Sequence, residues 1–101
     1  MIARTWRGWT RAEDAAEYER YLMATGFAEY RATPGNKGVY LTRRDQGDRA
    51  EFFLISLWES WDAVRAFAGD VPERAVFYPE DDRFLVARET TVDHYEVFAT
   101  C

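Results

Sequence analysis

Few residues of this chain could do chemistry, and the only histidine is the first of them. The imidazole of His94 can take up a proton near neutral pH, so it is a candidate general base. It shares one side of a predicted strand with Val92 and Glu96, and Glu96 could fix its tautomer. The alternative is a structural histidine that hydrogen-bonds a neighbouring group. We predict a catalytic His94 and keep the structural role as the alternative.

Arg4 is the second candidate, because strand alternation places it on the inner side of the first predicted strand. Ile2 and Trp6 share that side, so the guanidinium group is expected to be buried. A buried arginine needs a partner. Glu19 or Glu96 would make a structural ion pair, whereas a substrate enolate would make Arg4 a catalytic residue.

Glu19 and Tyr78 stand out by their positions. Glu19 falls within the apolar arc of the first predicted helix. A carboxylate there either reaches the rim and pairs with an arginine or points into a ligand pocket. Tyr78 lies beside Pro79 in an irregular segment, and a loop-borne phenol can orient a substrate. We predict that Tyr78 is catalytic and that Glu19 binds the substrate.

Composition and charge exclude several classes of function. The net charge is −5, which argues against nucleic acid and anionic membrane surfaces as partners. There is no second histidine and no cysteine pair, so no metal site is expected, and the acidic run at residues 80–82 is expected to be a solvated face. The lone Cys101, the lack of a signal-like start and the lack of a long apolar run predict a cytoplasmic protein without a membrane segment.

Six elements that would position these residues are predicted along one domain, residues 1–101. Thr10 and Glu13 have the spacing of a capping box that starts the first helix, and Gly26 is placed to end it. Ser60 is placed to cap the second helix. In chain order the elements are a strand over residues 2–9, a helix over 11–25, strands over 39–44 and 50–58, a helix over 61–68 and a strand over 92–98.

The third strand is apolar on both sides. Phe52, Leu54 and Trp58 point one way, and Phe53 and Ile55 point the other way. Such a strand must be covered on both faces, but two helices can cover only one. We therefore predict an α+β, ferredoxin-like βαββαβ fold: a four-stranded antiparallel sheet with both helices on one face. A second copy of the chain would cover the other face, which makes a homodimer.

Five stretches carry a familiar pattern: residues 1–6 (MIARTW), 30–36 (YRATPGN), 53–60 (FLISLWES), 77–81 (FYPED) and 92–97 (VDHYEV). Through them the chain resembles the antibiotic biosynthesis monooxygenase domain of the dimeric α/β-barrel superfamily, along nearly its whole length. Most of the likeness is specific to the fold, and the strand-end Trp58-Glu59-Ser60 that enters the second helix belongs to it.

The resemblance implies a cofactor-independent monooxygenase of secondary metabolism, with molecular oxygen as co-substrate. Such enzymes convert an aromatic, polyketide-like anthrone or phenol to a quinone. A base such as His94 would remove a proton, and Arg4 or a tyrosine would hold the resulting anion. The alternative is a non-oxygenase of the same fold, namely a small-molecule-binding protein, an accessory protein or a cyclase.

The haem-degrading branch of the same superfamily does not match the chain at its functional positions. Those relatives carry an Asn on the first strand, which this chain lacks. They carry a Trp and a His where this chain has Phe67 and Phe77. Neither haem binding nor any other cofactor is therefore expected.

The ligand pocket is expected between the first helix and the sheet. Two short, alanine-rich helices cannot fill the space above four strands, and apolar pockets with a few polar groups are the usual small-molecule sites. The chain has four Trp, six Tyr and seven Phe, which suits an aromatic ligand. The expected substrate-binding residues are Tyr18, Glu19, Leu22, Trp58 and Phe67.

Overall fold

The computed structural model describes residues 1–101 as one antiparallel sheet with its helices on one face. The strands are β1 (Ile2–Arg11), β2 (Asn36–Gln46), β3 (Arg49–Trp58), β4 (Leu85–Arg88) and β5 (Asp93–Glu96). The helices are α1 (Ala15–Ala24), α2 (Gly26–Ala32), α3 (Trp61–Ala68) and α4 (Asp81–Phe84), and a 3-10 turn at Ala12–Asp14 precedes α1.

β1 lies inside the sheet, whose strand order is β2-β3-β1-β4. It pairs with β3 along its whole length, from Ile2 opposite Trp58 to Arg11 opposite Arg49. Two strands share the other edge of β1. β4 pairs with its carboxyl-terminal end, and β5 pairs with its amino-terminal end. The predicted fold class is confirmed, with two short strands in the place of the fourth.

Alternation along β1 and β3 sorts the side chains as the sequence predicts. The side chains beneath the helices are buried, namely Ile2, Arg4, Trp6, Phe52, Leu54 and Trp58. Phe53, Ile55 and Leu57 point to the opposite face and are half-buried. No helix of the chain packs on that face, which we call the open face.

The core lies between the helices and the sheet in two clusters. In the first, the Tyr18 ring packs 4.9 Å from Phe52 and 5.3 Å from Phe84, between ring centroids. In the second, Trp58 packs 5.2 Å from Phe67. Aromatic pairs at such separations add to the stability that burial alone supplies.

The first helix departs from the prediction at both ends. Thr10 does not cap it; Thr10 belongs to β1 opposite Ala50, is fully buried, and its Oγ1 donates to the Arg11 carbonyl at 2.9 Å. Extending the ladder adds backbone hydrogen bonds, which outweigh one side-chain cap. Gly26 does not end the helical region either, since α2 begins there after a break at Thr25.

The later elements are closer to the prediction. α3 has the predicted bounds, and the Ser60 hydroxyl accepts a hydrogen bond from the backbone nitrogen of Ala63 at 3.2 Å. The last strand is shorter than predicted, and β4 was not predicted at all. None of the helices combines the length and the apolar character needed to cross a membrane.

Candidate active site

A cleft opens between α1, α2 and the inner face of the sheet. Its cavity volume is about 40 Å³, and it opens to solvent at its mouth. Most of its lining is apolar, and the aromatic side chains that contribute are Trp6, Tyr18, Phe27, Tyr30, Phe67, Phe77 and Tyr78.

The cleft brings together five of the eight side chains that the sequence singled out. These are Arg4, Tyr18, Leu22, Phe67 and Tyr78. The other three, Glu19, Trp58 and His94, lie outside its lining.

Glu19 lies outside the lining of this cleft and lines a second cavity between α1, β2 and β3, so its role in substrate binding stays a prediction. Its carboxylate pairs with the Arg43 guanidinium of β2 at 2.8 Å and is half exposed. The edge of the α1 apolar arc points toward β2, so the charged group reaches solvent there instead of the interior. The rim position with an arginine partner is the one that the structure contains.

Trp58 supports the cleft wall from behind. It is fully buried, and its indole nitrogen donates to the Ser56 hydroxyl at 2.8 Å. Its ring packs against Phe67 and lies 6.2 Å from Tyr30. Trp58 therefore holds two wall residues in place without reaching the ligand space.

His94 lies on β5 directly opposite Arg4. Its Nε2 is 3.2 Å from Nη1 of Arg4, and its ring packs 4.8 Å from Trp61. A guanidinium group can only donate, so Nε2 must accept and the ring proton must sit on Nδ1. Burial, and then the charge of Arg4, lower the pKa of His94. The lone pair that a general base needs is thus occupied by Arg4, and Glu96 is not what sets the tautomer.

Arg4 has none of the carboxylate partners that the sequence suggested. Its guanidinium donates to the carbonyl of Pro72 and to the carbonyl of Arg74 at 2.8 Å. The residue is 4% exposed. Burial lowers its pKa, but an arginine remains charged under ordinary conditions.

Asp81 is a site residue that sequence reasoning missed, since the acidic run was expected to be solvated. It is 4% exposed and lines the cleft. Its Oδ1 accepts from the Tyr18 hydroxyl at 3.1 Å, and its Oδ2 accepts from the backbone nitrogen of Tyr78 at 2.6 Å. Burial raises the pKa of this carboxyl group. The available signal was its spacing of three residues after Tyr78, which lets a carboxylate close a local turn.

Tyr30 was also missed, although it lies in the YRATPGN stretch. Its ring packs 4.7 Å from Phe67, and burial raises the pKa of its phenol to about 12. Across the cleft, Tyr78 donates to the Glu29 carboxylate at 2.5 Å, and burial followed by this hydrogen bond raises its pKa as well. Both phenols are therefore neutral hydrogen-bond donors near neutral pH.

Comparison with known proteins finds relatives in structure but not in sequence. No protein-family model matches the chain, and no curated protein matches it. A point mutant of MhuD with two manganese protoporphyrin IX bound per active site matches at TM-score 0.69 and 20% identity, covering 100% of this chain and 98% of that one. A putative antibiotic biosynthesis monooxygenase from Bacillus cereus matches at TM-score 0.68 and 11% identity, covering 99% and 95%. The chain shares their fold.

The expectation of no cofactor is corrected by these antibiotic biosynthesis monooxygenase-fold structures. Besides the manganese porphyrin complex, the haem-degrader MhuD from Mycobacterium tuberculosis has two haems bound in its active site. That structure matches at TM-score 0.68 and 19% identity, covering 100% of this chain and 99% of that one. A site on this fold can hold a metal porphyrin, so the departures at Phe67 and Phe77 were too narrow a basis for excluding one.

Proposed function

We propose that this protein is a monooxygenase-type enzyme that binds a flat, phenolic or anthrone-like aromatic molecule in the cleft. The observation that carries the proposal is an aromatic cleft that also contains a buried guanidinium and a buried carboxyl group, Arg4 and Asp81. Apolar pockets with a few convergent polar groups are typical small-molecule sites. The fold shared with a putative antibiotic biosynthesis monooxygenase supports the reaction class.

The proposed reaction turns a ring CH₂ group into a ketone. One atom of dioxygen enters the substrate, and the other leaves as water with the two hydrogens of that carbon. Removal of the first proton needs an acceptor inside the cleft. Asp81 is the carboxyl group there, and its raised pKa makes it a stronger base than an exposed aspartate. Tyr18 donates to it and would hold its orientation.

The role of His94 as the base stays a prediction that competes with Asp81. His94 lies outside the cleft lining and its Nε2 accepts from Arg4, whereas Asp81 faces the cleft. The geometry therefore supports Asp81 better. The free hydroxyl of Tyr30 and the positive charge of Arg4 would stabilise the anion left after proton removal, whereas Tyr78 already donates its one proton to Glu29.

Oxygen uptake with a model anthrone tests both points. We expect the wild-type protein to consume oxygen and to form the quinone. Asp81→Asn should lower turnover by about 10²-fold, the typical contribution of a general base, and His94→Gln should lower it much less. Absence of oxygen uptake by the wild-type protein would contradict the proposed reaction. The reverse order of the two variants would restore His94 as the base.

A porphyrin is the second candidate ligand, because two structures of this fold hold one in their active sites. The residues present fit the ring better than the metal. No histidine lines the cleft, and Tyr30 and Tyr78 are neutral phenols rather than phenolates. The aromatic walls could stack on a flat macrocycle, but no side chain is placed to bind its iron.

Parallel titrations with iron protoporphyrin and metal-free protoporphyrin distinguish binding of the ring alone from coordination of the iron. If the cleft recognises only the ring, both should bind with similar affinity, and the Soret band of the iron form should show no imidazole ligand. A Soret shift that His94→Gln abolishes would instead assign His94 as the iron ligand.

A further inference from the structure

The buried guanidinium of Arg4 has no negative charge beside it. Its hydrogen-bond partners are two backbone carbonyls, of Pro72 and Arg74, and the neutral imidazole of His94. Every ion pair of the chain joins an arginine to a carboxylate, and none of them includes Arg4. Glu73 acts on Arg4 only through space. A buried charge without a counter-charge is costly, so this arrangement is incomplete.

The N–H donors of Arg4 that lack an acceptor indicate which chemical group a ligand would supply. A guanidinium group has five N–H donors. Nη1 faces the Pro72 carbonyl and Nε2 of His94, and Nη2 donates once to the Arg74 carbonyl. The Nε–H and the second Nη2–H have no acceptor within the chain. Two neighbouring nitrogens with free donors match the two oxygens of a carboxylate.

These free donors belong to a side chain that lines the cleft. The guanidinium carbon lies 5.9 Å from the centre of the Phe67 ring, and Tyr30 is close enough for the charge of Arg4 to lower its pKa against the effect of burial. The Tyr30 hydroxyl donates to no group of the chain either, and it is neutral. An aromatic molecule in the cleft would thus meet one cation and one phenol near each other.

We infer that the ligand of this cleft is an aromatic carboxylate, whose carboxylate binds Arg4 while its ring lies against the aromatic walls. The inference rests on the proposed function only in taking a flat ring as the occupant of the cleft. It adds the charge of the ligand.

Two fluorescent probes test the charge of the ligand, namely an anthracene carboxylate and its neutral carboxamide. We expect the wild-type protein to bind the carboxylate about tenfold to hundredfold more tightly, which is the effect of one charge-assisted hydrogen-bonded pair. Arg4→Gln should bring that ratio close to one. Arg11→Gln is the matched control, because Arg11 lies on the same strand with a side chain 63% exposed, and it should leave the ratio unchanged.

The outcomes separate this inference from the proposed function. Equal binding of both probes by the wild-type protein would leave an aromatic cleft and overturn the carboxylate preference. Binding of neither probe would overturn both. If Arg4→Gln does not fold, Arg4→Lys keeps the charge but offers no fork, and it should reduce the ratio without abolishing it. An unchanged ratio in a folded Arg4 variant would place the carboxylate elsewhere.

Discussion

Arg4 and His94 constrain each other, because the guanidinium donates to the only free lone pair of the imidazole. Protonation of His94 would remove that acceptor and place two positive charges 3.2 Å apart. Burial, and then the charge of Arg4, lower the pKa of His94, and the smaller effects of Glu73 and Asp93 raise it. The folded state therefore favours the neutral imidazole.

The contact between Arg4 and His94 should make the folded state less stable as the pH falls. The folded-state pKa of His94 lies below the ordinary histidine value of 6.5, so below that pH the unfolded chain binds more protons. The contribution of His94 is present above pH 6.5 and is lost as the pH falls. We expect the Tm to decline from about pH 7 to about pH 5, and to decline less in His94→Gln, whose amide oxygen accepts from Arg4 without titrating. Identical slopes for both proteins would remove His94 as the cause.

For single residues, the sequence could predict the burial of Arg4 but not its hydrogen-bond acceptors. Alternation alone places Arg4 with Ile2 and Trp6. Its acceptors are backbone carbonyls 68 and 70 positions further along the chain, and carbonyls have no signature in a sequence. Asp81 was missed for a related reason, because an acidic run gives no indication that one of its members turns inward.

Among the elements, β1 shapes the cleft through the position of its Trp6 ring, and that position depends on Gly8. A Cβ at Gly8 would overlap ring carbon Cη2 of Trp6 and lie 2.8 Å from Cζ2. Trp6 lines the cleft, and its indole nitrogen donates to the Glu89 carbonyl at 2.6 Å. The absence of a side chain at Gly8 is therefore what lets the indole lie flat along its own strand.

Gly8→Ala should displace the Trp6 ring. We expect a loss of about 1–3 kcal/mol in the free energy of unfolding, as for other overpacked core positions, together with weaker binding of an aromatic probe. Denaturant unfolding measures the first effect, and probe fluorescence measures the second. A variant as stable as the wild-type protein would mean that the ring has another site available at no cost.

The sequence predicted an element well where all of its local signals indicate the same secondary structure. α3 combines a serine cap, a clear apolar side and a terminal glycine, and its bounds are those predicted. Thr10 had two competing signals, since threonine is a good cap and also a good strand residue. The neighbouring strand β3 is long enough to pair with it, and that pairing is a tertiary fact. β4 was missed because four residues give too short a pattern.

For the molecule as a whole, the open face of the sheet is the apolar surface that no helix of the chain covers. Phe53, Ile55 and Leu57 point to it. Tyr40, opposite Ile55, and Tyr95, opposite Ala3, share this face and are 62% and 59% exposed. An apolar sheet face of this kind marks an interaction surface. We propose that a second copy of the chain covers it.

Light scattering at micromolar concentration should give the mass of a dimer. Ile55→Asp should give a monomer, because the charge would be desolvated at the centre of the proposed interface. Met23→Asp is the control, since Met23 is 52% exposed on α1, on the helix side of the sheet. A monomeric wild-type protein would contradict the proposed dimer, and a dimer that survives Ile55→Asp but not Met23→Asp would have its interface elsewhere.

The division of one edge of β1 between β4 and β5 also has a consequence for the order of folding. Arg4 is fixed by His94, 90 positions away in sequence, and by carbonyls that precede β4. Pairings of such long range form late and slowly, because the chain must close a large loop before any contact stabilises it. The anion-binding end of the cleft should thus be the last part to mature, and a refolding chain should regain its compact shape before it regains its ligand.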